Sequence, residues 1–188
     1  MGSAFAIELP PGTLDAARRG EDAAWALIYR CFEGPMFTLA LRMTGCRDEA
    51  GDVLHDALLR AFERIGDFRG DAPFWGWLRQ IAVNTALMRL RRKGRLDFQA
   101  EPPEPESTPE DPWLPPAAAD AARLHEALAQ LPDLTRSVLW LFHAEGYTHE
   151  EIGALMDQSP SFSKSRVARG TRQLRELLGS HREEVRHA

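Results

Sequence analysis

Between Asp97 and Asp120 the chain reads DFQAEPPEPESTPEDPWLPPAAAD, and this stretch constrains everything on either side of it. It holds seven of the 13 prolines, interleaved with carboxylates, and neither lysine nor arginine. Proline lacks a backbone donor and pushes the residue before it out of the helical region, while like charges repel one another. The composition therefore predicts an extended, flexible, acidic linker over residues 97–122, either a passive spacer or one whose acidity has a use. A chain of 188 residues interrupted in this way resolves into two lobes, residues 1–96 and 123–188.

In both lobes apolar residues recur at helical rather than alternating spacing. Turn signals at Glu33-Gly34-Pro35, Gly45 and Arg69-Gly70-Asp71 divide the first lobe into helices expected over Thr13–Phe32, Pro35–Thr44, Asp48–Ile65 and Ala72–Lys93. The second is expected to hold helices over Asp120–Gln130, Leu134–Glu145, Thr148–Met156 and Pro160–Leu178. No strand pair is legible, so the fold class is all-α, with two small helical domains.

Charge divides along the same boundaries. Residues 1–96 carry 14 Lys and Arg against 12 Asp and Glu, residues 97–122 carry none against seven, and residues 123–188 carry nine against nine. The net charge of −5 thus belongs to the linker and does not argue against a nucleic-acid partner. Cys31 and Cys46 are isolated thiols, with no Cys-x-x-Cys and no partnered His, which points away from a disulfide framework or a metal site. No run is apolar enough to span a membrane and no secretory signal is visible, so a cytoplasmic location is expected. Myristoylation is rejected, since Ala6 stands where Ser or Thr is needed.

The segment YTHEEIGALMDQSPSFSKSRVARGTRQLRELL, Tyr147 to Leu178, carries the pattern of a helix-turn-helix. Thr148 and Glu151 can form a capping box, Ile152, Leu155 and Met156 give a buried side, and Ser159-Pro160 restarts the helix after two or three residues. Such a break lets the second helix enter a DNA major groove. Ser161, Phe162, Ser163, Ser165 and Arg166 are candidates for base edges, and Lys164, Arg169 and Arg172 for phosphates. A helical hairpin with a solvated basic face would carry the same pattern.

In the first lobe Asp48, Glu49, Asp52 and Asp56 gather on one side of a helix, opposite Leu54, Ala57, Leu58, Ala61, Phe62 and Ile65. That acidic face is either a docking surface or simply solvated. Downstream, FRGDAPFWGWLRQIAVNTALMRLRRKGR runs from Phe68 to Arg95. Phe74, Trp77, Leu78, Ile81, Ala82, Thr85 and Met88 form an expected core stripe. Trp75 and Arg79 fall beyond one edge, Gln80, Asn84 and Arg91 line the other, and Arg92, Lys93 and Arg95 follow. Aromatics beside amides and clustered cations suit unstacked bases on a single strand, where stacking contributes about 1–3 kcal/mol per base.

Taken in order, these parts resemble a bacterial RNA polymerase sigma factor of the extracytoplasmic-function (ECF) group. EAGDVLHDALLRAF (Glu49–Phe62) is similar to that family's region 2.2, the segment from Phe68 to Arg95 to regions 2.3 and 2.4, and the segment from Tyr147 to region 4.2. The resemblance runs from about Leu14 to Leu178. It implies residues 1–96 as region 2, residues 97–122 as linker and residues 123–188 as region 4. It further implies that Asp48, Glu49, Asp52, His55 and Asp56 dock on the clamp helices of the polymerase's largest subunit. Phe68, Arg69, Gly70, Asp71, Phe74, Trp75, Arg79, Gln80, Asn84, Arg91, Arg92 and Lys93 would capture the melted minus-ten strand. Region 4 would read the minus-thirty-five duplex and touch the flap of the second subunit. Promoter DNA, core polymerase and an anti-sigma factor or other regulator are the implied partners. No catalytic residues, metal or cofactor are implied.

Two departures from the family pattern stand out. Gly51 removes a carboxylate from region 2.2 and costs about 1 kcal/mol of helix propensity relative to alanine. Phe162-Ser163 replaces a Thr-Val pair, so Phe162 either meets a thymine methyl or turns inward. Two other readings are a dimeric helix-turn-helix regulator of duplex DNA and an adaptor that contacts only proteins.

Overall fold

The computed structural model describes residues 7–94, 96 and 121–186. Among them are eight α-helices, one 3-10 turn and no strand, as the all-α expectation requires. Arg95 and all but the last two residues of the expected linker lie outside the described residues. The chain divides into two compact units, Met1–Arg89 and Leu90–Ala188.

The first unit opens with α1, Thr13–Arg18, and α2, Asp22–Thr44. This differs from the expected pair at both boundaries. The single helix expected over Thr13–Phe32 breaks at Gly20, whose φ of 79° lies in the left-handed region that favours glycine. Conversely, Glu33-Gly34-Pro35 does not break the chain, and Pro35 lies inside continuous helix. An interior proline costs about 3 kcal/mol. Ile28, Phe32, Met36 and Ala40, all fully buried at four-residue intervals, pass straight through that point. Each large side chain contributes about 1.5–3 kcal/mol on burial, so the row outweighs the proline.

From Cys46 the chain enters α3, Arg47–Arg64, then the 3-10 turn Ile65–Asp67, an exposed loop, and α4, Phe74–Arg92. Helix α4 buries Trp75, Leu78, Ala82, Val83, Ala86, Leu87 and Leu90, positions that cover most of its circumference. A helix apolar nearly all round runs through a core and leaves a narrow outward strip. Which residues occupy that strip decides the site.

The second unit contains α5, Ala121–Ala129; α6, Asp133–His143; α7, His149–Met156; and α8, Pro160–Arg186, which outruns the expected end at Leu178. Its core gathers Leu134, Val138 and Leu141 of α6, Ile152 and Met156 of α7, and Val167 and Leu174 of α8. The buried Arg136 pairs with Asp133 and donates to the Leu131 carbonyl at 3.3 Å, which satisfies a cation that would otherwise be costly inside. No helix among the described residues is long and apolar enough to cross a membrane.

Candidate polymerase and nucleic-acid interfaces

On α3 the structure separates the five acidic-face candidates. Asp48, Asp52, His55 and Asp56 are exposed, whereas Glu49 turns inward and is only 9% exposed. Glu49 is thus corrected from the docking face to the interior side. Two of the remaining carboxylates have an internal cation that sequence spacing missed. Arg89 of α4 pairs with Asp52 and lies 4.0 Å from Asp56. Both carboxylates are more than half exposed, so solvent screens these contacts and each contributes at most about 1 kcal/mol. His55 Nδ1 lies 2.8 Å from the Gly51 carbonyl. The face continues into apolar surface: Leu59 is 63% exposed and Phe62 50%, with Phe62 tilted against Trp25 at 5.1 Å. Phe62, expected on the buried side from helical spacing, is thus at the surface.

The loop between α3 and α4 is pinned at both ends by aromatic rings. Phe68 meets Phe74 edge-on at 5.3 Å and Trp77 at 5.6 Å, while Phe74 also meets Phe32 edge-on at 5.5 Å. With Phe68 and Phe74 both buried, residues 69–73 arch outward and are exposed. Phe68 and Phe74 therefore hold the loop and are not its contact surface, a correction to the expected minus-ten set. Trp75 is corrected too. It is 4% exposed and stacks parallel to Phe32 at 6.0 Å. Trp77, expected in the core, is instead the partly exposed tryptophan.

The outward strip of α4 is Trp77, Gln80 and Asn84, spaced i, i+3 and i+7, with Trp77 and Gln80 partly exposed and Asn84 exposed. Arg79 is partly buried on the side. Arg91, Arg92 and Lys93 are exposed at the helix end, and Arg69, Gly70 and Asp71 on the loop. A ring and two amides on one strip of the helix, with cations in its last turn and just beyond it, match what an unstacked strand requires: a stacking surface, edge-reading groups and backbone neutralisation.

In the second unit the capping box forms as expected. Thr148 Oγ1 accepts from the Glu151 backbone at 3.2 Å, and the Glu151 carboxylate accepts from the Thr148 backbone at 2.7 Å. Asp157 closes α7 in the left-handed region, and Ser159 Oγ caps α8 by accepting from the Phe162 N–H at 3.3 Å. The α7–α8 turn is tight enough that a Cβ on Gly153 would stand 2.7 Å from the Gln158 carbonyl oxygen.

That tightness removes two residues from the reading face. Ser163 is completely buried, and its Oγ lies 3.0 Å from Nδ1 of His149, whose ring stacks on Phe142 at 4.4 Å. Arg166 is 4% exposed, with its guanidinium 5.3 Å over the Phe162 ring. Neither Ser163 nor Arg166 presents itself to DNA, because both pack the first two turns of α8 onto its own unit. Phe162 is half-buried beneath that guanidinium. The outward stripe is Ser161, Lys164 and Arg172, with Ser165 and Arg169 partly exposed beside it and Arg175 farther along.

Comparison with known proteins places both units. Residues 28–96 match the family description Sigma-70 region 2, and residues 121–174 match Sigma-70, region 4. The chain is 32% identical over 183 residues to the ECF RNA polymerase sigma factor SigE of Mycolicibacterium smegmatis, covering 94% of this chain and 71% of that protein. It is 30% identical over 172 residues to the RNA polymerase sigma-H factor of Pseudomonas aeruginosa, covering 83% and 86%. Among solved structures, the sigma factor RpoE bound to the anti-sigma factor NepR from Bartonella quintana shares the fold with a TM-score of 0.54 and 24% identity, over 80% of this chain and 94% of that one. CnrH in complex with the cytosolic domain of CnrY shares it with a TM-score of 0.52 and 23% identity, over 89% and 96%.

Proposed function

The chain belongs to the ECF RNA polymerase sigma factors, and from that premise we propose how its surfaces divide the work. As an alternative sigma factor it binds core RNA polymerase, directs it to specific promoters and holds the melted minus-ten strand. Residues 1–96 act as region 2, residues 97–122 as linker and residues 123–188 as region 4. The exposed face of Asp48, Asp52, His55 and Asp56 docks on the basic clamp helices of the largest subunit, continued by Leu59 and Phe62.

The observation that carries the strand-capture reading is the strip Trp77, Gln80 and Asn84 beside the arched loop 69–73, with Arg91, Arg92 and Lys93 at its end. A base flipped from the duplex enters beside the loop, stacks on Trp77 and is read by the amides, while the cations neutralise phosphates. Extruding a base costs a few kcal/mol, which stacking and phosphate contacts offset, so melting requires no catalytic group in this chain. Bond-making belongs to the polymerase. On α8, Ser161, Lys164, Ser165, Arg169 and Arg172 meet the minus-thirty-five duplex, with Phe162 and Arg166 as their support, and the rest of the second unit supplies the contact to the flap. An anti-sigma factor that covers these surfaces would hold the protein inactive in the cytoplasm.

Run-off transcription from a library of promoter fragments, with core polymerase alone and with this protein added, tests the assignment. Transcripts that require the protein support it and reveal both elements by alignment. Absence of any complex with core would overturn it. The dimeric regulator is not favoured, since region 2 and region 4 matches in order leave no sensing domain to assign.

A further inference from the structure

Helix α1 lies ahead of the region 2 match and has no role in the assignment above. It nevertheless reaches the strand-capture loop. Arg18, in its last turn, donates from Nη2 to the carbonyl oxygen of Phe68 at 2.6 Å, across 50 residues of sequence. Its Nη1 is held at 2.7 Å by Asp15, one turn back on the same helix. The helix is itself fixed. Thr13 and Ala17 are buried, and Nε1 of Trp25 on α2 donates to the Ala17 carbonyl at 3.1 Å.

Phe68 is where the 3-10 turn ends and the arch begins; its N–H returns to the Ile65 carbonyl at 3.3 Å and its ring packs on Phe74 and Trp77. The ring contacts fix the side chain but leave the peptide plane free to rotate about the bonds that launch residues 69–73. A planar guanidinium, oriented by one carboxylate and aimed at one carbonyl, removes that freedom. A charged donor to a neutral carbonyl contributes more than an ordinary hydrogen bond, and here the benefit falls on the direction of the loop.

We propose that Arg18 is a positioning residue for promoter opening: from α1 it sets the Phe68 peptide so that the loop 69–73 stands ready to receive a flipped base. This rests on the strand-capture reading of the loop and α4. Arg18 itself touches no DNA in this scheme. The corollary is that α1 is part of the opening machinery although it lies outside both the acidic face of α3 and the basic stripe of α8.

The test uses holoenzyme reconstituted from core polymerase and the full chain, with a fluorescent single-stranded oligonucleotide carrying the minus-ten sequence mapped by run-off. Arg18→Met, which keeps the stem and removes the donor, is expected to weaken strand binding about tenfold while core affinity is unchanged. Arg18→Lys, able to reach the carbonyl with a single charged donor, is expected to recover most of that loss. Asp15→Ala, which leaves the donor and removes its orienting carboxylate, is expected to cost about two- to threefold. Asn84→Ala is measured beside them as a check on the strand-capture reading. Unchanged strand affinity for Arg18→Met while Asn84→Ala weakens it would overturn the positioning role alone. If neither variant changes strand affinity, the capture reading falls and the inference with it. Parallel loss of strand and core affinity, equal for Met and Lys, would make Arg18 merely a structural residue and also overturn the proposal.

Discussion

Gly153 and Gly51 offer the same substitution with opposite expected signs. Both lie within helices, so replacement by alanine gains about 1 kcal/mol of helix propensity at each. At Gly51 a new Cβ meets nothing within 4 Å, and the gain stands. At Gly153 the same atom would lie 2.7 Å from the Gln158 carbonyl oxygen, 3.2 Å from the Ser159 carbonyl carbon and 3.3 Å from the Pro160 nitrogen. All three are backbone atoms of the helix-turn-helix break, and none can rotate away. Relief requires the turn to open, an overpacking cost at the upper part of the 1–3 kcal/mol range, so the net loss is about 1–2 kcal/mol. Hydrogen exchange by mass spectrometry on the full chain reports each lobe separately. Protection of α7 and the first turns of α8 should fall about 5- to 30-fold in Gly153→Ala, while α3 gains roughly fivefold in Gly51→Ala. Because the turn sets the angle of α8, Gly153→Ala should also weaken minus-thirty-five binding. Equal or increased protection around Gly153 would refute the close-approach argument. A loss at Gly51 would show that its flexibility is built into the docking face.

Further predictions follow from the corrected placements. Trp75→Ala should destabilise the first unit by about 3–5 kcal/mol in denaturant titrations, whereas Trp77→Ala should chiefly weaken single-strand binding by holoenzyme, by about 1–3 kcal/mol; reversed effects would restore the sequence-based assignment of the two rings. Lys164→Ala should lower duplex affinity and reduce the salt slope by about 1, while Arg166→Ala should lower the stability of its unit and leave that slope alone. Arg89→Ala should cost at most about 1 kcal/mol in stability and raise affinity for core polymerase, because Asp52 and Asp56 then lack an internal cation. A fall in core affinity would place Arg89 within the docking surface instead.

How much of this was legible in the sequence depends on how one-sided each helix is. Helix α7 has a capping box, a short apolar face and a restart at Ser159-Pro160, and each of these local signals has a single structural meaning, so the helix-turn-helix stands where it was expected. Helix α4 is apolar nearly all round, and a wheel drawn on such a helix has no unique inward direction. Trp75 and Trp77 exchanged places for that reason: the neighbour that selects Trp75 for the core is Phe32, 43 positions earlier, and periodicity within α4 contains no record of it. Pro35 shows the same override from the other side. Its local signal for a break is real, but it is opposed by a buried row whose energy depends on tertiary packing.

The site residues follow the same division. Charge and exposure are coupled for side chains on a solvated helix face, which is why Asp52, Asn84, Lys164 and Arg172 could be placed on outer faces from sequence alone. The coupling fails where a polar group has found a specific partner. Arg166 turns over Phe162, Ser163 is matched by His149, and Glu49 turns inward on α3. Partners such as His149 or Arg18 lie 14 and 50 residues from the groups they hold, too far for a helical or turn rule to pair them. Residues proposed to touch DNA or polymerase are therefore visible early, as exposed charges and amides on regular faces, while residues proposed to aim them emerge only with the fold. If DNA is opened by binding alone, as proposed, the second group matters as much as the first. On the proposed reading the strand is captured only if the loop already points outward when a base pair breathes, and the contacts that would set that direction are those of Arg18 with the Phe68 carbonyl and of the Phe74 and Trp77 rings with the Phe68 ring.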